Sequence, residues 1–392
     1  MAANTIRPSA SQKVPHAGFS MGQKIRENIT GYLFILPSIL VIGLFGLFPI
    51  VYSVYMSTLN WRAVKGGFIG MENYGRALGD LPGLLFFILG LILMFSAYVV
   101  WTRALRHGSN WIAIGGMAAA LVLIAGGWIL SSGWAQMLAS GDKRFLNSLP
   151  ITLWYSLGTV PAELAIGLVI AYILFQKIRG KEMFRMLYFL PYITPTIATA
   201  VVFRSIFSPR DSALANWALT SLGLPAQKWL FEPRPFINVV FGTNLEGFWA
   251  GPSMALVSVI LYGIWTYVGY NVVVFLAGLG SIPGEIYEAA DIDGASQWQM
   301  FRHVTIPLIS PVTFYLALVA FIGTFKAFNH IYVMRDPPAL NTMDVTSITI
   351  FDTFYKINNY GYAAAQAIIL FVIIAGLTYA QNKLFSERVF YG

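Results

Sequence analysis

"YEAADIDGASQWQMFRHVTIPLISP", residues 287–311, carries Glu288, Asp291, Asp293, Arg302 and His303 between two of the most apolar runs in the chain. Its residue types predict two short helices joined by a bend. Pro283 suits a first helical turn. Glu285 and Glu288 near that end favour the helix dipole, and Ile282, Ile286 and Ala289 share one face at i, i+4, i+7. Gly294 is a natural stop because it enters the left-handed region without a Cβ penalty. Ser296 and Gln299 have the spacing of a capping box for the second helix. Pro307 is expected to stop that helix before the next apolar run. The result is a compact knob with small and acidic residues on its surface, offered to another protein.

The rest of the chain explains why such a knob is unusual. Of 392 residues, 57% are hydrophobic and 11% are charged, with mean hydropathy +0.66. A soluble domain carries about 25% charged residues, so this composition belongs to a membrane protein. There is no cysteine, which excludes disulfides and thiolate metal sites. The four histidines, His16, His107, His303 and His330, are scattered and form no ligand cluster. The net charge of +8 is better explained by membrane orientation than by nucleic acid.

A bilayer-crossing helix needs about 20 mostly apolar residues. Eight runs qualify, at 31–56, 83–101, 111–131, 149–175, 186–207, 253–279, 308–333 and 362–383. The first is too long for the core of a cleavable signal and reads as a retained span. The tail before it is rich in Ala, Ser and Pro and reads as disordered. No 20–50-residue repeat is visible. With eight spans, Arg7, Lys13, Lys24 and Arg26 of the tail fall on one side, expected to be cytoplasmic, with Arg103, Arg106, Lys177, Arg179, Lys181, Arg185, Lys383 and Arg388. The acidic 287–311 segment lands there by parity. The loop 208–252, with Trp217, Trp229 and Trp249, is then external, where tryptophan anchors at an interface or packs on a partner. Pro37, Pro49, Pro161, Pro191 and Pro195 interrupt the spans; each removes a backbone bond and is expected to bend its helix, or is simply tolerated in a membrane.

Glu288-Ala289-Ala290, Gly294, Val304, Ile306 and Pro307 resemble the EAA loop of ABC importer permeases, which reads E-A-A, three residues, G, nine residues, then I-x-L-P. Val304 stands for the Ile and Ile306 for the Leu, with the spacing kept. "ITGYLFILPSILVIGLFGLFPIVYSVYMSTLNW", "FIGMENYGRAL", "FLNSLPITLWYSLGTVPAELAIGLVIAYIL" and "FRMLYFLPYITPTIATAVVFRSIF" resemble the carbohydrate-type permeases. "FIGTFKAFNHIYVMRDPPALNTMDVTSITIFDTFY" resembles the MalF-type rather than the MalG-type subunit. The resemblance implies an all-α integral membrane protein of the type I importer permease fold in a bacterial or archaeal cell membrane. Both termini would be cytoplasmic. The chain would be half of a heterodimer with a MalG-like permease, served by two ATPase subunits that hold the ATP and magnesium and by an extracytoplasmic solute-binding protein. Glu288, Ala289, Ala290, Gly294, Ile306 and Pro307 would contact the ATPase.

The resemblance also divides the chain: a tail at 1–30, the first span and an external loop at 31–80, and a permease core at 141–392 with its coupling loop at 281–307. Residues 81–140 hold two spans where the family runs almost directly from "ENY" to "LPITL". They read as an inserted helical hairpin that preserves the orientation of everything after it. Gly115, Gly116, Gly126 and Gly127 would suit close helix packing there, and the hairpin reads as scaffold facing lipid or a partner.

Polar groups inside spans are costly and face a partner or a cavity. Tyr270 and Asn271 in the sixth run, and Lys326 and Asn329 in the seventh, are the candidates for a substrate pathway. The resemblance places "FKAFNHIY" in a region that lines the sugar pathway. Asn can donate to and accept from sugar hydroxyls, and Tyr can stack on a pyranose ring. Lys326 can instead snorkel to the outer headgroups, and Asn329 can cap its span. Glu163 matches a glutamate common in the family's corresponding span, which points to a structural role.

The reading is thus a permease subunit for a carbohydrate or related polyol, with no covalent chemistry and no cofactor or metal of its own. No G-x-x-x-x-G-K-[ST] is present. The alternatives are an ion-coupled secondary transporter, which would show intramembrane relays or inverted repeats, and a membrane-embedded enzyme, which would need a clustered metal or nucleophile site.

Overall fold

The computed structural model describes residues 21–106, 109–176 and 180–385. Arg7, Lys13, Lys177, Arg179, Arg388, His16 and His107 lie outside them, as does most of the 1–30 tail.

Helix α1 (Met21–Ile42) passes through a wide π-type stretch, Gly43–Leu47, into α2 (Phe48–Ser57). Pro49 cannot donate to the carbonyl four residues earlier, and the wide stretch absorbs that missing bond. Pro37 lies within α1 with no interruption. The chain divides into two compact units at Ser53/Val54.

In the second unit, a short hairpin of β1 (Leu59–Trp61) and β2 (Lys65–Phe68) leads to α3 (Glu72–Leu78). Helices α4 (Leu81–Arg106) and α5 (Ser109–Ser140) then form a long antiparallel pair. In a bilayer, close van der Waals packing rather than water exclusion holds such helices together. A Cβ on Gly90 would lie 2.5 Å from the Leu130 Cβ, and one on Gly115 2.3 Å from the Ala104 Cβ. Gly116 and Gly126 are also at contacts, against Trp101 and Leu93, whereas Gly127 has no atom within 4 Å of where a Cβ would stand. Neither α4 before Arg103 nor α5 holds a charged residue.

Asp142 caps α6 (Lys143–Phe175), accepting from the backbone N–H groups of Arg144 and Phe145. Pro150 and Pro161 lie inside this 33-residue helix without breaking it. Helix α7 (Lys181–Ile193) and α8 (Thr196–Ile206) meet at 94°. The 186–207 run is therefore sharply bent near its middle, and of the five prolines only Pro195, with Pro191 a turn before, stands at a sharp bend.

The loop 208–252 is ordered around Asn216 at the start of α9 (Leu214–Ser221). Its side chain is fully buried; it donates to the carbonyls of Arg210 and Gln227 and accepts from Gln227 N and Trp229 Nε1. Trp229 (φ +43°) turns inward onto Phe207, while Trp217 and Trp249 stay exposed. After α10 (Phe236–Phe241) comes α11 (Met254–Gly280), the best-buried helix, capped by Ser253.

Next come α12 (Gly284–Ile292), α13 (Gln297–Gln299), a wide-turned stretch over Met300–Thr305 and α14 (Ile306–Leu308). These are followed by α15 (Ser310–Phe325), α16 (Asn329–Met334), α17 (Leu340–Met343), α18 (Thr346–Phe351) and α19 (Tyr360–Phe385). Among the described residues six helices are long and apolar enough to cross a membrane, or up to eight spans if each bent pair counts as one.

Side-chain pairs define two ends of the bundle. At one, Tyr362 donates to Asp142 Oδ2 (2.7 Å), and Arg144 pairs with Asp344 and Asp352. Asp80 N donates to Ser140 Oγ there, joining the ends of α4 and α5. At the other, Tyr172 packs on Phe301 (4.7 Å) and Phe175 on Tyr287 (6.3 Å). Residues 80 and 142 thus share one end, so α4 and α5 return the chain to where it started, and the odd number of passes that follows (α6, the α7–α8 pair and α11) brings the α12–α14 segment to the other end.

Candidate functional site

Two places in the second unit bear on function: a cavity against the middle of α11, and the α12–α14 segment beyond its end.

The cavity exists because α7 crosses α11 at a glycine. A Cβ on Gly269 would lie 1.8 Å from the Tyr188 carbonyl oxygen, so only glycine permits this approach. The crossing carries the end of α7 over α11, where Tyr192 stacks on Tyr270 (centroids 4.9 Å, 27°) and meets Tyr267 edge-on at 6.3 Å. Thr194 returns its hydroxyl to the Leu190 carbonyl, and Pro195 opens α8 in its new direction. A span broken beside a cavity is a common way for a transporter to present backbone and side chains to a substrate.

The cavity, of about 160 Å³, is lined by Tyr155, Glu163, Tyr192, Tyr267, Tyr270 and Asn271, together with small and apolar residues of α15 and Ala327. Glu163 and Asn271 are each 2% exposed. Glu163 Oε2 and Asn271 Nδ2 are buried without a hydrogen bond of good geometry to this chain, a costly state unless a visitor or water satisfies them. Tyr155 is held from behind: its hydroxyl bonds His330 Nε2 at 2.7 Å, and His330 stacks on Tyr262 at 5.1 Å. Tyr262 in turn shares a 2.7 Å hydrogen bond with Thr199 of α8.

Of the residues expected on a substrate pathway, Tyr270 and Asn271 line this cavity and Lys326 and Asn329 do not. Helix α15 ends at Phe325; Lys326 is its exposed C-cap, and Asn329 is the exposed first residue of α16. The 308–333 run is therefore not one span. The chain turns at Lys326–Phe328, where half-buried Ser347 of α18 donates to the Ala327 carbonyl. Glu163, given a structural role by resemblance, faces the same space as Asn271. Tyr155, Tyr192, Tyr267 and His330 were not singled out in the sequence. The Pro191/Pro195 pair flanking Tyr192 was the available signal.

The α12–α14 segment follows its sequence closely. Gly294 is left-handed (φ +79°). Its N–H donates to the Asp291 carbonyl, and Ala295 N donates to the Ala290 carbonyl, both at 3.0 Å. Both halves of the Ser296/Gln299 capping box are present. Pro307 does not stop the second helix. The wide-turned stretch before it removes the need for its missing N–H, and helical turns run from Gln297 to Leu308. The 64° bend comes after Leu308, where buried Ile309 joins the core of α6, α11 and α15. Of Ile282, Ile286 and Ala289, Ile286 is 37% exposed and Ala289 is open, so this chain leaves much of that face uncovered. Glu288, Gly294 and Pro307 are also exposed, Ile306 is 41% exposed and Ala290 is half-buried. Ile292 and Trp298, 87% and 64% exposed, add an apolar face that sequence reasoning did not single out.

Among the described residues no group of three or more His, Asp or Glu side chains is placed to hold a metal ion.

Residues 163–391 match the family described as binding-protein-dependent transport system inner membrane component, and the chain belongs to that family. It is a multi-pass permease subunit of an ABC importer and not an enzyme. It is similar to the arabinooligosaccharides transport system permease protein AraP of Bacillus subtilis, with 30% identity over 64% of this chain and 75% of that one. A probable ABC transporter permease of Pyrococcus horikoshii is 28% identical over 88% of this chain and 93% of its own. The trehalose/maltose transport system permease protein MalF of Thermococcus litoralis is 28% identical over 62% and 75%. Among solved structures, a chain of a bacterial ABC transporter for import of the acidic polysaccharide alginate superposes with a TM-score of 0.63. That match spans 93% of this chain and 98% of that one at 18% identity, a likeness of fold.

Proposed function

We propose that this chain forms one half of a pathway for a carbohydrate or related polyol, with the α11 cavity as its substrate-facing surface and the α12–α14 segment as the contact for an ATPase subunit. The observation that carries the reading is continuity. Tyr270 and Asn271, which line the cavity, and Gly280, which precedes the coupling segment, belong to one uninterrupted helix. A push on the segment therefore reaches the cavity through a rigid rod, with no loop between to absorb it. Relatives named for arabinooligosaccharide and for trehalose/maltose transport support a glycan as the cargo. Two aromatic rings, a carboxyl and an amide around one cavity are the group types that stack on sugar rings and bond their hydroxyls.

In this reading the α12–α14 end is cytoplasmic, and the end that holds Arg144, Asp344 and Asp352 is external with loop 208–252. The N-terminus is cytoplasmic. A second, MalG-like permease completes the pathway, two ATPase subunits bind ATP and magnesium, and a solute-binding protein delivers the cargo. Glu288, Ala289, Ala290, Gly294, Ile306 and Pro307 meet the ATPase, with Ile292 and Trp298 beside them. The α4–α5 hairpin is a scaffold.

The test is ATP-dependent uptake by proteoliposomes holding the whole complex and its binding protein. The panel is maltotriose, arabinotriose, triacetylchitotriose, trigalacturonate and glycerol 3-phosphate. Accumulation of one or more glycans is expected; uptake of none of them, by an ATPase-competent complex, would reject carbohydrate as the cargo.

A further inference from the structure

The cavity's chemistry selects among carbohydrates. Its lining supplies hydroxyls from four tyrosines, the amide of Asn271 and the carboxyl of Glu163, and among the described residues of this chain it includes no lysine, arginine or histidine. Lys326, the nearest basic residue in the chain to the lining residue Ala327, is exposed and does not line the cavity. We propose that this cavity passes only uncharged glycosyl units, and that Glu163 is the group that excludes acidic ones; the proposal depends on the carbohydrate reading above.

The argument is one of compensation. A carboxylate that leaves water needs a cation or several donors to replace its hydration. The lining gives it Asn271 Nδ2 and tyrosine hydroxyls, but no positive charge. Ionised, Glu163 repels the newcomer at short range, where the low dielectric strengthens the repulsion. Protonated, it gives a single O–H. A neutral sugar makes the opposite demand. Its hydroxyls both donate and accept, so one unit can satisfy Glu163 Oε2 and Asn271 Nδ2 together, two cavity-lining groups without a hydrogen bond of good geometry to this chain. Its apolar ring face fits the stacked Tyr192 and Tyr270. Rejection comes from the uncompensated charge, a stronger discriminator than a change of shape.

The same proteoliposome panel distinguishes this inference from the reading beneath it. If neither neutral nor acidic glycans enter, the carbohydrate reading fails and the inference fails with it. If glycans enter, uptake of maltotriose, arabinotriose or triacetylchitotriose should exceed that of trigalacturonate by at least about tenfold. Trigalacturonate uptake equal to or above the best neutral trisaccharide overturns the proposal while leaving the importer reading intact. In Glu163→Gln, which keeps size and hydrogen bonding, the ratio of neutral to acidic uptake should fall at least about fivefold. An unchanged ratio in a variant that assembles removes Glu163 from the filter. Should that variant fail to assemble, Asn271→Asp provides the second measurement: added negative charge should raise the ratio, and a lowered ratio overturns the proposal.

Discussion

The α-carbon of Gly269 faces the carbonyl oxygen of Tyr188 so closely that a Cβ would stand 1.8 Å from it. Two backbones thus cross in contact, and the crossing places Tyr192 on Tyr270. Gly269→Ala forces α7 away from α11. Overpacking costs roughly 1–3 kcal/mol, and backbone against backbone yields least, so the upper part of that range is expected. The purified complex should melt lower and transport slowly. Gly376→Ala on α19 is the control, because nothing lies within 4 Å of its Cβ position. It should leave the midpoint unchanged or raise it, as alanine is the better helix former. Equal midpoints for the two variants would mean that the crossing is not tight.

Asp352 belongs to a network at the far end of the bundle. Arg335 reaches Asp344 at 3.1 Å and Asp352 at 3.5 Å, Lys356 reaches Asp352 at 2.8 Å, and Arg144 joins both carboxylates. Burial alone would raise the Asp352 carboxyl, but Lys356, Arg144 and Arg335 together outweigh it and hold it below the usual value. Its stabilisation is therefore present above the unfolded aspartate value, about 3.9, and is lost as pH falls through the lower folded value. Removing one partner of a buried pair costs roughly 3–5 kcal/mol. Here the lower end applies, because the Arg144 and Lys356 side chains are 43% and 53% exposed. Asp352→Asn should lower the melting midpoint at pH 7 and flatten its decline on acidification. A decline as steep as wild type would place the acid-sensitive group elsewhere.

The sequence carried the elements set by local rules and missed those set by contact. Gly294 and the Ser296/Gln299 box were legible because a left-handed turn and a cap each need particular residues within a few positions. The eight apolar runs were legible from length and hydropathy. The seventh run is shorter than its hydropathy suggests, because Ala327, Phe328 and Ile331 keep the stretch apolar on either side of a single Lys326. Just past the end of α15 the Ala327 carbonyl is taken by Ser347 of α18, a tertiary contact. The cavity was half legible: Tyr270 and Asn271 stood out as polar in an apolar run. Tyr192 and Tyr155 are placed by the Gly269 crossing and by the His330 bond, neither of which has a local pattern.

The same division predicts which variants affect transport. Tyr270→Ala removes a stacked ring from the cavity, and Asn271→Ala removes a buried amide beside Glu163. Losing a polar partner costs roughly 1–3 kcal/mol, so uptake at low substrate should fall between about fivefold and a hundredfold. Lys326→Ala and Asn329→Ala alter exposed side chains away from the cavity and should change uptake less than about twofold. Uptake kinetics of the four variants in assembled complexes would decide this. A large loss in Asn329→Ala with none in Asn271→Ala would move the pathway away from α11.

The coupling segment separates two kinds of perturbation. At Gly294 a Cβ would meet nothing within 4 Å, so a side chain there costs only its backbone conformation, φ +79°. A β-branched residue tolerates that region poorly, at roughly 1–2 kcal/mol. Gly294→Val should therefore loosen the bend between α12 and α13 without disturbing the core. Ile292→Asp leaves the backbone alone and puts a charge where an 87% exposed isoleucine now projects. Solvent accepts that charge readily, whereas an apolar contact on a partner does not. Both variants should insert and melt as wild type to within a few degrees, because neither position is buried. Ile292→Asp should lose ATPase subunits during co-purification through a tag on this chain. Gly294→Val should retain more of the ATPase but hydrolyse ATP with weaker stimulation by substrate-loaded binding protein, since a bend that gives way absorbs motion instead of passing it to α11. Full ATPase recovery and normal stimulation in both variants would mean that the segment around Glu288 and Gly294 is not where the ATPase drives this permease.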